Sequence, residues 1–383
     1  MAIIIGSGAG AGLLAMKLVK AGIPTTILEE GQHVEPKEMF NYDENDENYV
    51  GGSKAVAMAN VPSDLENELK NKGIDISSEL SAVRSQITTD EIDQSTISNT
   101  TQKFIDITKK ESMNTKIVGK SIDLLGKEFI QAGFDYALTI INDAENIEIV
   151  AEDNNIVGVK YIKNGIDRIK YTKTVIIAAG CETTVKLLKD AEIEANKSIN
   201  YNSFVTLGGA VDIDSNDVAM NVIASENNTI LAPYYTDEGM GILVKSNDVS
   251  QGTIDEEGKM IISDDESLNT GIELAKGILE EIGVKEINQS ETKAINVIGL
   301  ASIGEIVDTN LETEVKGLFV CDVSVLPAIP EYPPVLSILA LSERLANHLE
   351  NIDYDNNQYG KSDYGLGKSY GKMDGWWREN PQE

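Results

Sequence analysis

The chain opens on an unbroken apolar run, Ala2-Ile3-Ile4-Ile5, the pattern of a central parallel strand buried on both faces. A glycine-rich turn from Gly6 to Gly12 follows, and the apolar spacing beyond it predicts a helix over 13–21 and a second strand over 25–28. Another buried run over 174–178 ends in the small-residue turn Ala179-Gly180. Between these, residues 136–142, 147–151, 156–161 and 167–171 read as short strands, with turns at 143–144, 153–155 and 164–165. Residues 201–295 add further strands, among them 240–245, and a helix over about 268–282. A last helix is expected over 335–349, directly after Pro333-Pro334, because a proline lacking its N–H costs nothing in a first turn. Residues 62–120 are polar and mostly helix-like, with apolar positions at mixed spacing.

The first segment carries chemistry as well as pattern. Gly6, Gly8 and Ala11 meet the spacing G-x-G-x-x-G/A between a strand and a helix. Gly6 permits the tight turn, Gly8 lets backbone approach a pyrophosphate, and Ala11 lets helix and strand pack closely. The helix N-terminus then offers free N–H groups and a partial positive charge, which can hold phosphates without any lysine. Glu29 lies 21 residues after Gly8, at the end of the second strand, where its carboxylate can accept hydrogen bonds from ribose hydroxyls. These features predict a dinucleotide-binding unit and leave NAD and FAD both open.

Composition narrows the class. A chain of 383 residues suggests two domains, and no apolar run approaches the roughly 20 residues a membrane span needs, so no membrane insertion is expected. A net charge of −31 without a basic stripe argues against nucleic acid or anionic lipid as partners. The opening strand leaves no basic and apolar leader, and the cytoplasm is the expected compartment. Two cysteines, Cys181 and Cys321, are too few for a disulfide framework and read as buried small hydrophobes.

Four separated blocks make the chain similar to the glucose-methanol-choline oxidoreductases, a family of FAD enzymes, in a compact archaeal-type form. The first runs from Gly6 to Gly31 and ends Ile27-Leu28-Glu29-Glu30-Gly31, like the family's strand end at the adenosine ribose. The second, Val50-Gly51-Gly52-Ser53, resembles its glycine loop beside the pyrophosphate and flavin. The third, Thr174 to Gly180, resembles the strand that returns the chain to the FAD domain. The fourth runs from Gly317 through Cys321-Asp322 and Pro330 to Pro333-Pro334-Val335. In the family that aspartate lies near the pyrophosphate and ribitol, and the following helix points its N-terminus at the flavin. Such a terminus would stabilise the anion of a reduced flavin ring.

The resemblance implies FAD as cofactor and a mixed α/β fold. A Rossmann-type FAD domain with a mostly parallel sheet in three layers would be built from 1–60, 121–200 and 297–350. Residues 61–120 would be a helical cap and 201–296 a smaller α+β substrate domain, a sheet covering the flavin. The short strands over 136–171 would be the excursion against which adenine packs.

The resemblance breaks at the catalytic position. The family passes hydride to flavin while a histidine takes the hydroxyl proton, and here the corresponding residue is Asn296. An amide neither gains nor loses a proton near neutral pH. The chain's two histidines are His33, just after the ribose strand, and His348, at the end of the last helix, and both read as surface residues. Lys54, Lys245, Glu305 and Tyr332 remain as replacement bases among which the sequence does not choose.

From 353 onward apolar periodicity is lost. Tyr354, Tyr359, Tyr364 and Tyr370 alternate with glycine and polar residues before Trp376-Trp377. Gly367-Lys368-Ser369 ends like a phosphate loop, but Ser362 stands where its first glycine would be. The extended tail over 351–383 is expected to anchor a protein partner or a second copy of the chain through its aromatics. The alternative is a terminus that is disordered or folded back on its own domain. An unknown small molecule or redox partner completes the expected partners.

Overall fold

The structure is a computed structural model that describes residues 1–31, 63–86, 97–118, 125–214, 220–236, 239–255, 259–263 and 265–352. Five short strands form a parallel sheet in the order Leu318–Val320, Val175–Ile177, Ala2–Ile5, Thr25–Leu28 and Thr139–Ile141. Ala2–Ile5 is central and buried along its whole length, which its unbroken apolar sequence requires. From this strand the chain builds outward on one side through Thr25–Leu28 and later on the other through Val175–Ile177, so the strand order reverses at its C-terminal end. Parallel sheets bind ligands at such a point.

The first helix, Ala9–Lys20, starts four residues earlier than the apolar spacing predicts, directly after Gly8. The glycines beyond Gly8 are therefore helical, against their propensity, and packing supplies the reason. A Cβ on Gly10 would stand 2.7 Å from Ile338 Cγ2 and 2.9 Å from Ser342 Oγ, both on the last helix, Val335–Asn351. Close approach of two helices outweighs the entropy of the glycine.

The short strands divide differently from the expected excursion. Thr139–Ile141 is the edge of the parallel sheet, whereas Glu145–Glu152, Asn155–Lys163 and Ile166–Tyr171 form a separate antiparallel sheet. Asp143 adopts φ +45° at the junction, which turns the chain out of the first sheet into the second.

The second unit is an antiparallel sheet organised by one long strand, Ser198–Ala210. Gly239–Ser246 and then Ser250–Ile254 pair with one of its edges, and Lys285–Gln289 and then Lys293–Ile298 with the other. Helices Asn99–Lys110 and Glu266–Ile282 bury one face of this sheet, with Phe104, Ile105, Leu268 and Leu279 packed among its apolar residues. Ser98 and Asp265 cap the two helices by accepting the N–H of Thr101 at 3.0 Å and of Leu268 at 2.9 Å.

The described parts of 61–120 do not form one cap. Leu65, Leu69, Leu80 and Val83 belong to the core of the parallel-sheet unit, while Phe104, Ile105 and Met113 belong to the core of the other. Mixed apolar spacing in the sequence reflects these two separate destinations. Among the described residues no helix is long and apolar enough to cross a membrane.

Candidate functional site

A groove of about 270 Å³ lies at the C-terminal end of Ala2–Ile5, where the strand order reverses. Its floor is the glycine turn. Gly6 has φ +94°, and a Cβ there would stand 2.4 Å from the carbonyl oxygen of Ala178, so this position admits only glycine. Gly8 is different: its φ of −59° suits any residue, and nothing lies within 4 Å of where its Cβ would be. Open space rather than backbone strain distinguishes Gly8. It is the N-cap of the first helix, and no side chain caps that terminus. Ala11, buried at 1% exposure, completes the turn along the groove.

Glu29 stands at the end of the neighbouring strand, 7% exposed. Its Oε2 accepts the Ser7 hydroxyl at 2.6 Å and its Oε1 accepts the Gly31 N–H at 2.8 Å. Burial raises its pKa above the ordinary carboxylate value, and these hydrogen bonds partly oppose the rise.

The opposite wall comes from residues more than 140 positions away. Gly180, with φ +80°, caps the helix Cys181–Asp190 and donates its N–H to Asp322 Oδ2 at 3.1 Å. Asp322 also accepts Thr184 Oγ1 at 2.8 Å on Oδ2, and the backbone N–H of Ser324 at 2.9 Å and its hydroxyl on Oδ1. Four protein donors hold this carboxylate, so what it does first is join two strand ends. Beside it Cys321 is buried, and burial pushes its thiol to about 12. Pro334 is the N-cap of the last helix, and with Val335 it also lines the groove.

Asn296 reaches the same groove from the antiparallel unit. It is 9% exposed, with φ +53°, at an irregularity in the pairing between Ile295 and Ile298. A bulge of this kind re-aims a side chain out of the strand alternation, and asparagine tolerates the left-handed backbone well. Its Nδ2 donates to Asn202 Oδ1 at 3.3 Å.

Gly6, Gly8, Ala11, Glu29, Gly180, Asp322, Pro334, Val335 and Asn296 thus meet at one groove. Gly51, Gly52, Ser53, Lys54 and His33 lie outside the described residues. The remaining candidate bases are not among the residues that line the groove, although Tyr332 directly precedes its Pro333. Lys245 is buried on Gly239–Ser246, where Nζ donates to Asn247 Oδ1 and to the Glu331 carbonyl at 3.0 Å, and burial lowers its pKa to about 8. Glu305 is exposed and accepts Asn196 Nδ2 at 2.9 Å. Tyr332 is half-buried, and burial raises its pKa.

His348 is not a plain surface residue. Its ring is half-buried and meets Phe319 edge-on at 6.4 Å. It lies ten residues after Ile338, which lines the groove, and so roughly 15 Å along the helix from it. Sequence reasoning missed Ser7, Gly10, Thr184 and Asn202. Ser7 was legible as the hydroxyl inside the glycine turn, whereas the other three matter only through partners distant in the chain.

No family model matches the chain. An uncharacterized protein of Methanocaldococcus jannaschii is 28% identical over 201 residues, which is 46% of this chain and 53% of that protein. The chain therefore spans about half the length of that relative. Among solved structures, pyridoxine 4-oxidase from Mesorbium loti aligns with a TM-score of 0.63 at 12% identity, over 91% of this chain and 98% of that one. Formate oxidase from Aspergillus oryzae RIB40, in a structure concerned with FAD modification, aligns with a TM-score of 0.56 at 10% identity, over 91% and 97%. The chain has the mixed α/β fold of these oxidases, a parallel dinucleotide-type sheet joined to an antiparallel one, in agreement with the glucose-methanol-choline type of fold.

Proposed function

We propose that the chain is an FAD-binding flavoprotein of oxidoreductase type that moves hydride or electrons between a small molecule and flavin. The observation that carries this reading is the convergence of a glycine turn, an uncapped helix N-terminus and a buried acid at one groove. The residues fit the cofactor. Open space at Gly8 and the uncapped terminus suit a pyrophosphate. Glu29 accepts the Ser7 hydroxyl, the Gly31 N–H and the Ser7 backbone N–H, which leaves its carboxylate capacity to accept a ribose hydroxyl. Val335 at the start of the last helix would place a partial positive charge toward the flavin. Bound there, FAD would supply a two-electron acceptor. The shared fold with oxidases, one of them studied for its FAD, favours FAD over NAD.

The chemistry at Asn296 is altered from the resembling family, since an amide can orient a group but cannot deprotonate it. No histidine lines the groove among the described residues. That observation supports a second reading, a flavoprotein that has lost alcohol oxidation and serves as a subunit of an assembly, with the tail over 353–383 as its contact.

The test is the visible spectrum of purified protein, followed by photoreduction and exposure to candidate acceptors. A yellow, reducible protein that turns over a small molecule supports the first reading. A reducible protein without turnover supports the second. Colourless protein that takes up no added FAD rejects flavin binding altogether.

A further inference from the structure

We infer that Asn202 fixes the side-chain amide of Asn296 with its Oδ1 facing the groove, so that the site selects a ligand carrying an O–H or N–H donor; the ligand part rests on the flavoprotein reading above. The assignment starts from a group that can only accept. The backbone carbonyl of Asp248 lies 3.0 Å from the Asn202 amide, so Asn202 must turn its NH₂ toward it. The remaining atom of that amide, Oδ1, faces Asn296 at 3.3 Å. Oxygen against oxygen would repel, so Asn296 presents its NH₂ to Asn202. What remains is Asn296 Oδ1, which no other described residue hydrogen-bonds, in a residue that lines the groove.

The anchor of this relay is held from several sides. Asp248 donates its N–H to Ser246 Oγ at 3.1 Å, and its carboxylate accepts Asn228 Nδ2 at 2.9 Å and the Ser267 hydroxyl. Asn247 donates its N–H to the Asn228 carbonyl at 2.7 Å. The carbonyl of Asp248 therefore cannot turn to free Asn202. At the other end, the bulge and the left-handed backbone of Asn296 set the side chain toward the groove rather than along the strand alternation.

An acceptor that does not titrate has a defined preference. It binds the hydrogen of an alcohol or amine without removing it, and it disfavours a carbonyl oxygen at the same position. A ligand in its alcohol form is held, and the corresponding aldehyde, which has lost its donor hydrogen, is not. Asn202 acts as a positioning residue and Asn296 as the contact.

Two measurements test this separately from flavin binding. Neutron diffraction from crystals of the flavin-free protein should place the two amide deuterons of Asn296 on the atom facing Asn202. Deuterons on the groove side would overturn the assignment. In the FAD-loaded protein, benzyl alcohol and benzaldehyde are titrated against the flavin absorption band. The alcohol should bind about tenfold more tightly, the difference one neutral hydrogen bond makes. Asn296→Leu should abolish that preference, and Asn202→Leu, which frees the amide to turn, should narrow it. Equal or tighter binding of benzaldehyde to wild type, or binding of neither, would overturn the ligand class. If the protein takes up no FAD, the functional proposal fails while the neutron result still judges the relay.

Discussion

Ser7 Oγ donates to Glu29 Oε2 at 2.6 Å, joining the middle of the glycine turn to the end of the adjacent strand. The surface that would meet phosphate and the acid that would meet ribose are thereby one rigid unit. The same bond stabilises a carboxylate that burial disfavours, so Ser7 tunes the charge of Glu29 as well as its position.

Glu29→Gln should weaken FAD retention by about 1.5 to 3 kcal/mol, the range for a hydrogen bond to a charged group. Fluorescence titration measures this, and affinity within twofold of wild type would show that the cofactor register is wrong. Linkage adds a second readout in flavin-free protein. The folded pKa of Glu29 is raised, so ionisation works against folding, and stability is lost as pH rises from the ordinary carboxylate value through the folded one. The melting temperature of Glu29→Gln relative to wild type should therefore climb across that window and level off above it.

Gly8→Val and Gly6→Ala should separate binding from folding. Gly8 has an ordinary backbone and open space, so its valine variant should keep its structure and lose FAD by tenfold or more, because the side chain fills the phosphate position. Gly6→Ala meets both a positive φ and the Ala178 carbonyl, and should destabilise folding by about 2 kcal/mol or more. Chemical denaturation beside FAD titration distinguishes the two. Equal loss of stability in both variants would remove the argument for a ligand at Gly8.

Wild-type protein should show no appreciable oxidation of simple alcohols, and Asn296→His alone should restore little. A positioned base contributes roughly 100- to 10,000-fold, but only with substrate and flavin already aligned. Steady-state assays with oxygen or a dye acceptor check this, and robust wild-type turnover would mean that another residue serves as base. At the same position Asn296→Val should cost about 1 to 2 kcal/mol through its left-handed backbone, whereas Asn296→Gly should not incur that strain.

Lys245→Met should change the alkaline stability profile. Burial depresses the folded pKa of Lys245 from 10.5 to about 8, so between those values the unfolded chain binds the extra proton. Wild type should accordingly gain stability relative to Lys245→Met as pH rises from about 8 to 10.5, and urea melts at several pH values read this directly. A flat difference would mean that the ammonium is not desolvated.

Removal of 353–383 should leave FAD bound and eliminate a protein contact. The groove residues named above, from Gly6 to Val335, all precede that segment. Its six aromatics could fill pockets on another chain, with Trp376 and Trp377 costing about 2 kcal/mol or more each when truncated. Size-exclusion chromatography from native lysate compares full-length and shortened protein. Identical elution and partners would make the tail dispensable, and loss of FAD would place it against its own cofactor domain.

The local unit at the start of the chain was legible because its information is local. A β-branched run, a glycine turn, a helix and a strand ending in Glu29 follow one another within 31 residues, and each depends on near neighbours. The order of the later blocks likewise carried the resemblance to a fold. Tertiary structure alone decided the rest. It brought Asn296 to the glycine turn across 290 positions of sequence, divided 61–120 between two cores, and moved Thr139–Ile141 into the parallel sheet. It made Gly10 a helix contact and spent the whole carboxylate of Asp322 on protein donors. Periodicity reports which face of an element is buried, but the atoms it is buried against belong to segments that no local pattern names.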